Sequence, residues 1–153
     1  MNGQDSHCCI EVSLDRQEVI LFRNDKRVFQ APVSTAAKGP GFQEGSYRTP
    51  TGNFVIRERI GEGAPIFTSF RGRIPRGVWN GEESDDAILT RILWLEGLDE
   101  KNSNTYCRYI YFHGTHAEDQ IGNPASQGCI RLRNRDMLRL FDLTPIGATV
   151  HIS

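Results

Sequence analysis

No apolar run in the 153-residue chain approaches the ~20 residues that a membrane-spanning helix needs. The longest, Ile92-Leu93-Trp94-Leu95 and Tyr109-Ile110-Tyr111-Phe112, are strand-sized. Charge of one sign is also missing. Eighteen Lys and Arg face 19 Asp and Glu, a net charge of -1, so the basic surface on which non-specific nucleic-acid binding rests is not there. Lysine is scarce, occurring only at 26, 38 and 101, and the other basic residues are Arg, the side chain suited to planar contacts with carboxylates. The four cysteines, Cys8, Cys9, Cys107 and Cys129, form no CxxC pair and no even spacing, which argues against a disulfide scaffold or a structural zinc module. Residues 1–10 lack a basic stretch followed by an apolar one, so no secretory leader is expected there and the compartment stays unassigned. Internal repeats and low-complexity tracts are absent too.

What is present suits one globular domain. A chain of this length buries roughly 70% of its unfolded surface, enough for a core without staples. Hydrophobic residues at 38% and charged residues at 24% exclude a disordered chain. Residues 1–9 read as a flexible N-terminus and 10–153 as the domain. Ile10–Leu14 alternates apolar and polar residues, and Glu18–Phe22 and Val28–Val33 follow as antiparallel strands across a hairpin loop at Arg23-Asn24-Asp25-Lys26. Residues 34–52 form a long loop, of the kind that tends to be functional. A strand resumes at Asn53–Arg57. Residues 58–86, with five glycines and two prolines, read as an irregular, lid-like insertion. Ala87–Leu98 fits helix or strand, with strand favoured. Tyr106–Phe112, rich in β-formers, is predicted as a strand that delivers His113 at its end. Asn134 is predicted to cap a short helix, and Ala148–Ile152 closes the chain as a strand. Many strands and one short helix define a mainly β sandwich or barrel-like domain.

Chemistry concentrates in His113-Gly114-Thr115, a loop, and Ser126-Gln127-Gly128-Cys129-Ile130-Arg131. A thiol attacks as thiolate, and an ordinary thiol is only slightly ionised at neutral pH unless a neighbouring base takes its proton. His113 can be that base. Gly128 leaves space beside the sulfur and lets backbone N–H groups approach a substrate oxygen, as an oxyanion hole requires. Singly, each residue has a plainer reading, because a lone Cys in a β domain is more often buried and inert. Their joint occurrence around a Ser-x-Gly-Cys turn makes a nucleophile–base pair a serious reading.

These residues resemble the signature of the L,D-transpeptidase catalytic domain (YkuD-type) family, a His-Gly-Thr, a loop, then Ser-x-Gly-Cys-Ile/Val-Arg. Thr49-Pro50-Thr51-Gly52-Asn53-Phe54 is similar to the family's Thr-Pro-x-Gly-x-Phe turn, and the first strands and closing helix, glycine turn and strand resemble it as well. The resemblance implies a β-sandwich with one short helix after the catalytic Cys. It implies Cys129 as nucleophile, His113 as general base and acid, and the Gly114 carbonyl as the group that orients His113. The Gly128 and Cys129 N–H groups would hold the oxyanion, and Ser126, Gln127, Arg131, Tyr47 and Thr115 are the implied substrate contacts. The implied reaction is attack on peptidoglycan tetrapeptide stems through a thioester, with release of D-alanine and formation of 3→3 cross-links, in cell-wall biogenesis. Neither metal nor organic cofactor is implied. Peptidoglycan stem peptides are the implied partners, carbapenems the implied inhibitors, and a monomer is expected. Gln127 stands where many members carry a His.

Other readings of the same residues are open. An L,D-carboxypeptidase that passes the acyl group to water uses the same side chains, and a non-catalytic peptidoglycan-binding module would need neither Cys129 nor His113. A zinc site from His113, His116, Cys129 and Cys107 meets metal-ligand spacing poorly. Arg71, Arg73 and Arg76 read as solvated loop residues, and Arg135 and Arg139 as a solvated helix face.

Overall fold

The segments with period-two alternation pair first. In the computed structural model, which describes residues 7–81 and 87–153, they form β1 (Cys8–Ser13), β2 (Glu18–Arg23) and β3 (Lys26–Pro32). β1 begins at Cys8, two residues before the expected start, and Cys8 and Cys9 pair with Arg23 and Phe22 of β2. Asn24 and Asp25 both take positive φ, 52° and 68°, the backbone of a two-residue turn whose twist matches the strands it joins. The remaining elements are β4 (Gly52–Ile60), β5 (Thr68–Arg71), β6 (Ile74–Val78), β7 (Ile88–Gly97), β8 (Tyr111–Gly114), β9 (Ile130–Leu132), α1 (Asn134–Leu143) and β10 (Thr149–Ile152), with a 3-10 turn at Glu118–Gln120.

The strands make one sheet in the order β3-β2-β1-β10-β4-β7-β5-β6, with β8 on β7 and β9 on β8. Two pairs are parallel, β1 with β10 and β8 with β9. Beyond β3, Ser34 exchanges two backbone hydrogen bonds with Arg131, at 2.8 and 2.9 Å. That bridge ties the chain leaving β3 to β9, so the hydrogen-bonded path closes on itself and encloses the main core. Ile10, Val12, Leu21, Phe54, Ile56, Leu93, Leu95, Phe112, Ile130 and Leu132 meet Met137, Leu140 and Phe141 of α1 there. On the other face of β7 and β8, Phe70, Ile92, Trp94 and Tyr111 form a second, smaller cluster, with Cys129 packed against it. β7 therefore buries both faces. Its near-continuous apolar sequence follows from that, as does its ambiguity between helix and strand.

Three expectations need correction. Tyr106–Ile110 is not strand. Arg108, Tyr109 and Ile110 N–H groups donate back to Asn104 or Thr105, Tyr106 and Thr105, and Tyr109 takes φ 59°. The β-formers there are used for packing, since Tyr106 stacks on Trp94 at 4.0 Å. The strand is shorter and later, so His113 lies within β8 rather than after it. Second, the insertion is not irregular: β4 runs on to Ile60, and β5 and β6 form a hairpin turned by Gly72 and Arg73, both at positive φ. The acidic residues Glu82, Glu83, Asp85 and Asp86, read as part of that insertion, lie outside the described residues. Third, Asn134 is not the helix cap but its first residue. The Glu118 carboxylate accepts the Asn134 N–H at 2.7 Å and so serves the helix N-terminus.

Candidate active site

β8 and β9 run parallel, with Phe112 opposite Ile130 and His113 opposite Arg131. Side chains alternate along each strand, so Phe112 and Ile130 enter the main core and His113 lies on the opposite face. The same register carried back one residue sets Cys129 opposite Tyr111, on the face of His113. Two backbone contacts fix the sulfur: the Tyr111 N–H donates to Cys129 Sγ at 3.4 Å, and Sγ reaches the Tyr109 carbonyl at 3.4 Å. Cys129 is half-buried, whereas His113 is fully buried.

His113 Nδ1 lies 2.6 Å from the Gly114 carbonyl. A carbonyl only accepts, so Nδ1 carries the proton and Nε2 the lone pair. Gly114 itself has no room for a side chain, because a Cβ would strike Asn134 Oδ1 and the Leu89 carbonyl. Asn134 Nδ2 in turn donates to the Thr115 carbonyl at 2.7 Å, and Thr90 Oγ1 donates to Asn134 Oδ1 at 2.6 Å. The backbone on which the imidazole depends is thus held by buried polar bonds from β7 and α1.

The turn before Cys129 is stapled in the same way. Ser126 Oγ donates to the Cys129 carbonyl at 2.7 Å and accepts the Gly128 N–H at 3.2 Å. Thr49 Oγ1 donates to the Gly128 carbonyl at 3.0 Å, and Gly128 takes φ 122°, which an L side chain rarely adopts. Ser126, expected as a substrate contact, is buried and both of its bonds belong to the turn. Thr115 is fully buried, its hydroxyl accepting from the Ala117 N–H at 3.1 Å. Arg131 is only 4% exposed and reaches Gln120 Oε1 at 2.8 Å and Ser34 Oγ at 3.3 Å. Both, expected as substrate contacts, brace the loops around β9. Gln127 and Tyr47 are exposed and line a cleft of about 300 Å³ with Glu44, Cys107, Arg108 and Tyr109.

Residues that sequence reasoning passed over complete the site. Arg108 donates to the Arg48 carbonyl at 2.7 Å, fastening the 41–48 loop beside Gly128. Burial lowers the pKa of its guanidinium, and the nearby Cys129 opposes that shift. Arg73, at the tip of the β5–β6 hairpin, is not a solvated loop residue: it lies 4.9 Å over the Trp94 ring and 5.0 Å over that of Tyr109, and donates to Tyr111 Oη at 3.2 Å. Burial pushes the Tyr111 phenol upward, and the hydrogen bond from Arg73 works the other way. The zinc reading finds no assembled ligand set: among the described residues no three His, Cys, Asp or Glu side chains stand together as metal ligands. The His116 ring packs 5.8 Å from that of Trp79.

A thiol seated in backbone hydrogen bonds, on one face with an imidazole whose Nε2 holds a lone pair, defines the class of cysteine acyl-transfer sites. The comparisons narrow that class: the family model described as the L,D-transpeptidase catalytic domain, YkuD, matches residues 9–152, and the chain belongs to that family. Over 45 residues it is 53% identical to the probable L,D-transpeptidase ErfK/SrfK of Salmonella typhimurium, covering 29% of this chain and 15% of the relative. It is 28% identical over 130 residues to a putative L,D-transpeptidase of Fuscovulum blasticum, covering 84% of this chain and 58% of the relative. The matches thus span less than two thirds of either relative's length. The fold is shared with L,D-transpeptidase 3 from Mycobacterium tuberculosis, solved in complex with a faropenem-derived adduct, at TM-score 0.63 and 16% identity over 97% of this chain and 60% of that one. Among the described residues no helix is long and apolar enough to cross a membrane.

Proposed function

We propose that residues 10–153 are the catalytic domain of a cysteine-dependent L,D-transpeptidase acting on the tetrapeptide stems of peptidoglycan. The observation that carries this reading is the placement of Cys129 and His113 on one face of the β8–β9 pair, with His113 Nδ1 bound to Gly114. His113 Nε2 takes the thiol proton, and the Tyr111 N–H stabilises the sulfur as it becomes anionic. The thiolate attacks the carbonyl of the third stem residue. The oxyanion falls to the N–H groups of Cys129 and Gly128, the latter exchanging its bond to Ser126 for one to substrate. Collapse breaks the peptide bond, and the departing D-alanine amine takes the proton held by His113, leaving a thioester on Cys129. An acceptor amine then attacks the thioester, gives its proton to His113 and forms the 3→3 cross-link while the thiolate leaves. Each step uses this chain's own groups and asks for no cofactor.

Imipenem, a carbapenem, is bound in the structure of the LD transpeptidase LdtMt1, a protein of the same fold, and this supports the expectation that a carbapenem acylates Cys129. The test of the reaction is product analysis by mass spectrometry with disaccharide-tetrapeptide. Cys129-dependent loss of D-alanine with a cross-linked dimer is expected. Tripeptide monomer without dimer would reassign the acceptor to water, and turnover persisting in Cys129→Ala would overturn the reading.

A further inference from the structure

The β5–β6 hairpin presents β6 to solvent along its whole length, with Ile74 54% and Val78 58% exposed. Its tip is different. The Arg73 guanidinium stacks over two aromatic rings and uses an Nη1 donor on Tyr111 Oη. An Arg carries five N–H donors in a planar fork. Among the described residues, no carboxylate lies within ion-pair distance of Arg73, and the titratable side chains nearest it are the neutral phenols of tyrosines. Both of its tyrosines also touch the sulfur: Tyr109 through its carbonyl and Tyr111 through its N–H. Arg73 is therefore joined to the reacting atom through two residues, Tyr109 and Tyr111, each of which touches both the guanidinium and the sulfur.

We propose that Arg73 is a specificity-determining residue that binds a carboxylate of the acyl donor just beyond the bond that Cys129 attacks. The proposal rests on the transpeptidase reading for its substrate, a peptide acid, but on geometry alone for the anion subsite. A guanidinium already stacked and partly desolvated loses little freedom on closing a bidentate pair, so it favours a carboxylate over the matching amide. That carboxylate is the donor's C-terminus, which lies on the leaving-group side of the bond.

Two experiments test this. In the first, Cys129 displaces bromide from N-bromoacetyl-D-alanine or from N-bromoacetyl-D-alaninamide, forming a thioether, and intact mass follows the rates. Arg73→Gln is expected to slow the acid about tenfold while leaving the amide unchanged, with partial recovery in Arg73→Lys. An acid-to-amide ratio unchanged by Arg73→Gln, or an equal loss with both reagents, overturns the proposal. In the second, Arg73→Gln raises KM for disaccharide-tetrapeptide with little change in kcat. Loss of that KM effect on the C-terminal amide is expected, and its loss only on an amide of the third residue's side chain overturns the proposal. An equal KM effect on both amidated peptides overturns the proposal. Absence of tetrapeptide turnover by the wild-type protein, with an Arg73-dependent alkylation ratio, overturns the transpeptidase reading and leaves the carboxylate subsite in place.

Discussion

Two regions meet at Cys129, and they are built on opposite terms. The β8–β9 frame is buried on both faces, with every residue of Tyr111–Gly114 and Ile130–Leu132 buried, and its backbone is held by Asn134, Ser126 and Thr49. The β5–β6 hairpin has one wholly exposed strand, and it reaches the site through Phe70 of β5 in the second cluster and through Arg73 stacked at its tip. Chemistry needs reacting atoms fixed to a fraction of an ångström, and the frame supplies that. Recognition of an anionic peptide tolerates a looser element, provided its contact is pre-ordered, and the hairpin supplies that.

Substitutions that break the comparison rank by how deep in the frame they fall. Cys129→Ala is expected to abolish D-alanine release and carbapenem acylation while leaving the thermal transition nearly unchanged, read by product analysis and calorimetry together. His113→Gln should keep the fold and lower the acylation rate by about 10²- to 10⁴-fold, the usual range for a general base. Asn134→Ala strands the Thr115 carbonyl and the Thr90 hydroxyl in the interior, for a loss of about 3 kcal/mol in denaturant unfolding. A fall in acylation larger than that instability explains would show Asn134 also aligning His113.

The hairpin should respond more mildly. Arg73→Gln removes the donor and charge that favour the Tyr111 phenolate, so Tyr111 should ionise at higher pH still, visible as a rise in its ultraviolet titration midpoint. Val78→Thr, on the exposed edge, should change stability by less than about 0.5 kcal/mol. A larger loss would mean that β6 is covered by something the described residues do not show.

The same contrast explains what could be read from residues alone. The β1–β3 meander was legible because each strand buries one face and alternates accordingly, and Asn24-Asp25 is a turn by its own chemistry. Cys129 and His113 were legible because a motif compresses a tertiary site into two short stretches. β7 was ambiguous because both its faces are buried, which erases periodicity. The β5–β6 hairpin was missed for the converse reason: neither face of β6 is buried, and Gly72, Pro75 and Gly77 resemble loop. Tyr106–Ile110 misled because aromatic residues needed to stack on Trp94 carry the same propensity as a strand. Arg73 was out of reach, since its partners Trp94, Tyr109 and Tyr111 lie beyond any local pattern. Ser126, Thr115 and Arg131 sat in the motif, yet their buried bonds to the neighbouring loops emerge only in three dimensions.

Cys129, activated within the β8–β9 frame, is expected to form a thioester with the donor. Rapid mixing with disaccharide-tetrapeptide, acid quench and intact-protein mass spectrometry tests it directly. The expected result is a transient adduct of the donor minus D-alanine, mapped to Cys129, released by hydroxylamine and missing in Cys129→Ala. D-alanine release without any such adduct, or an adduct that survives in Cys129→Ala, would contradict it.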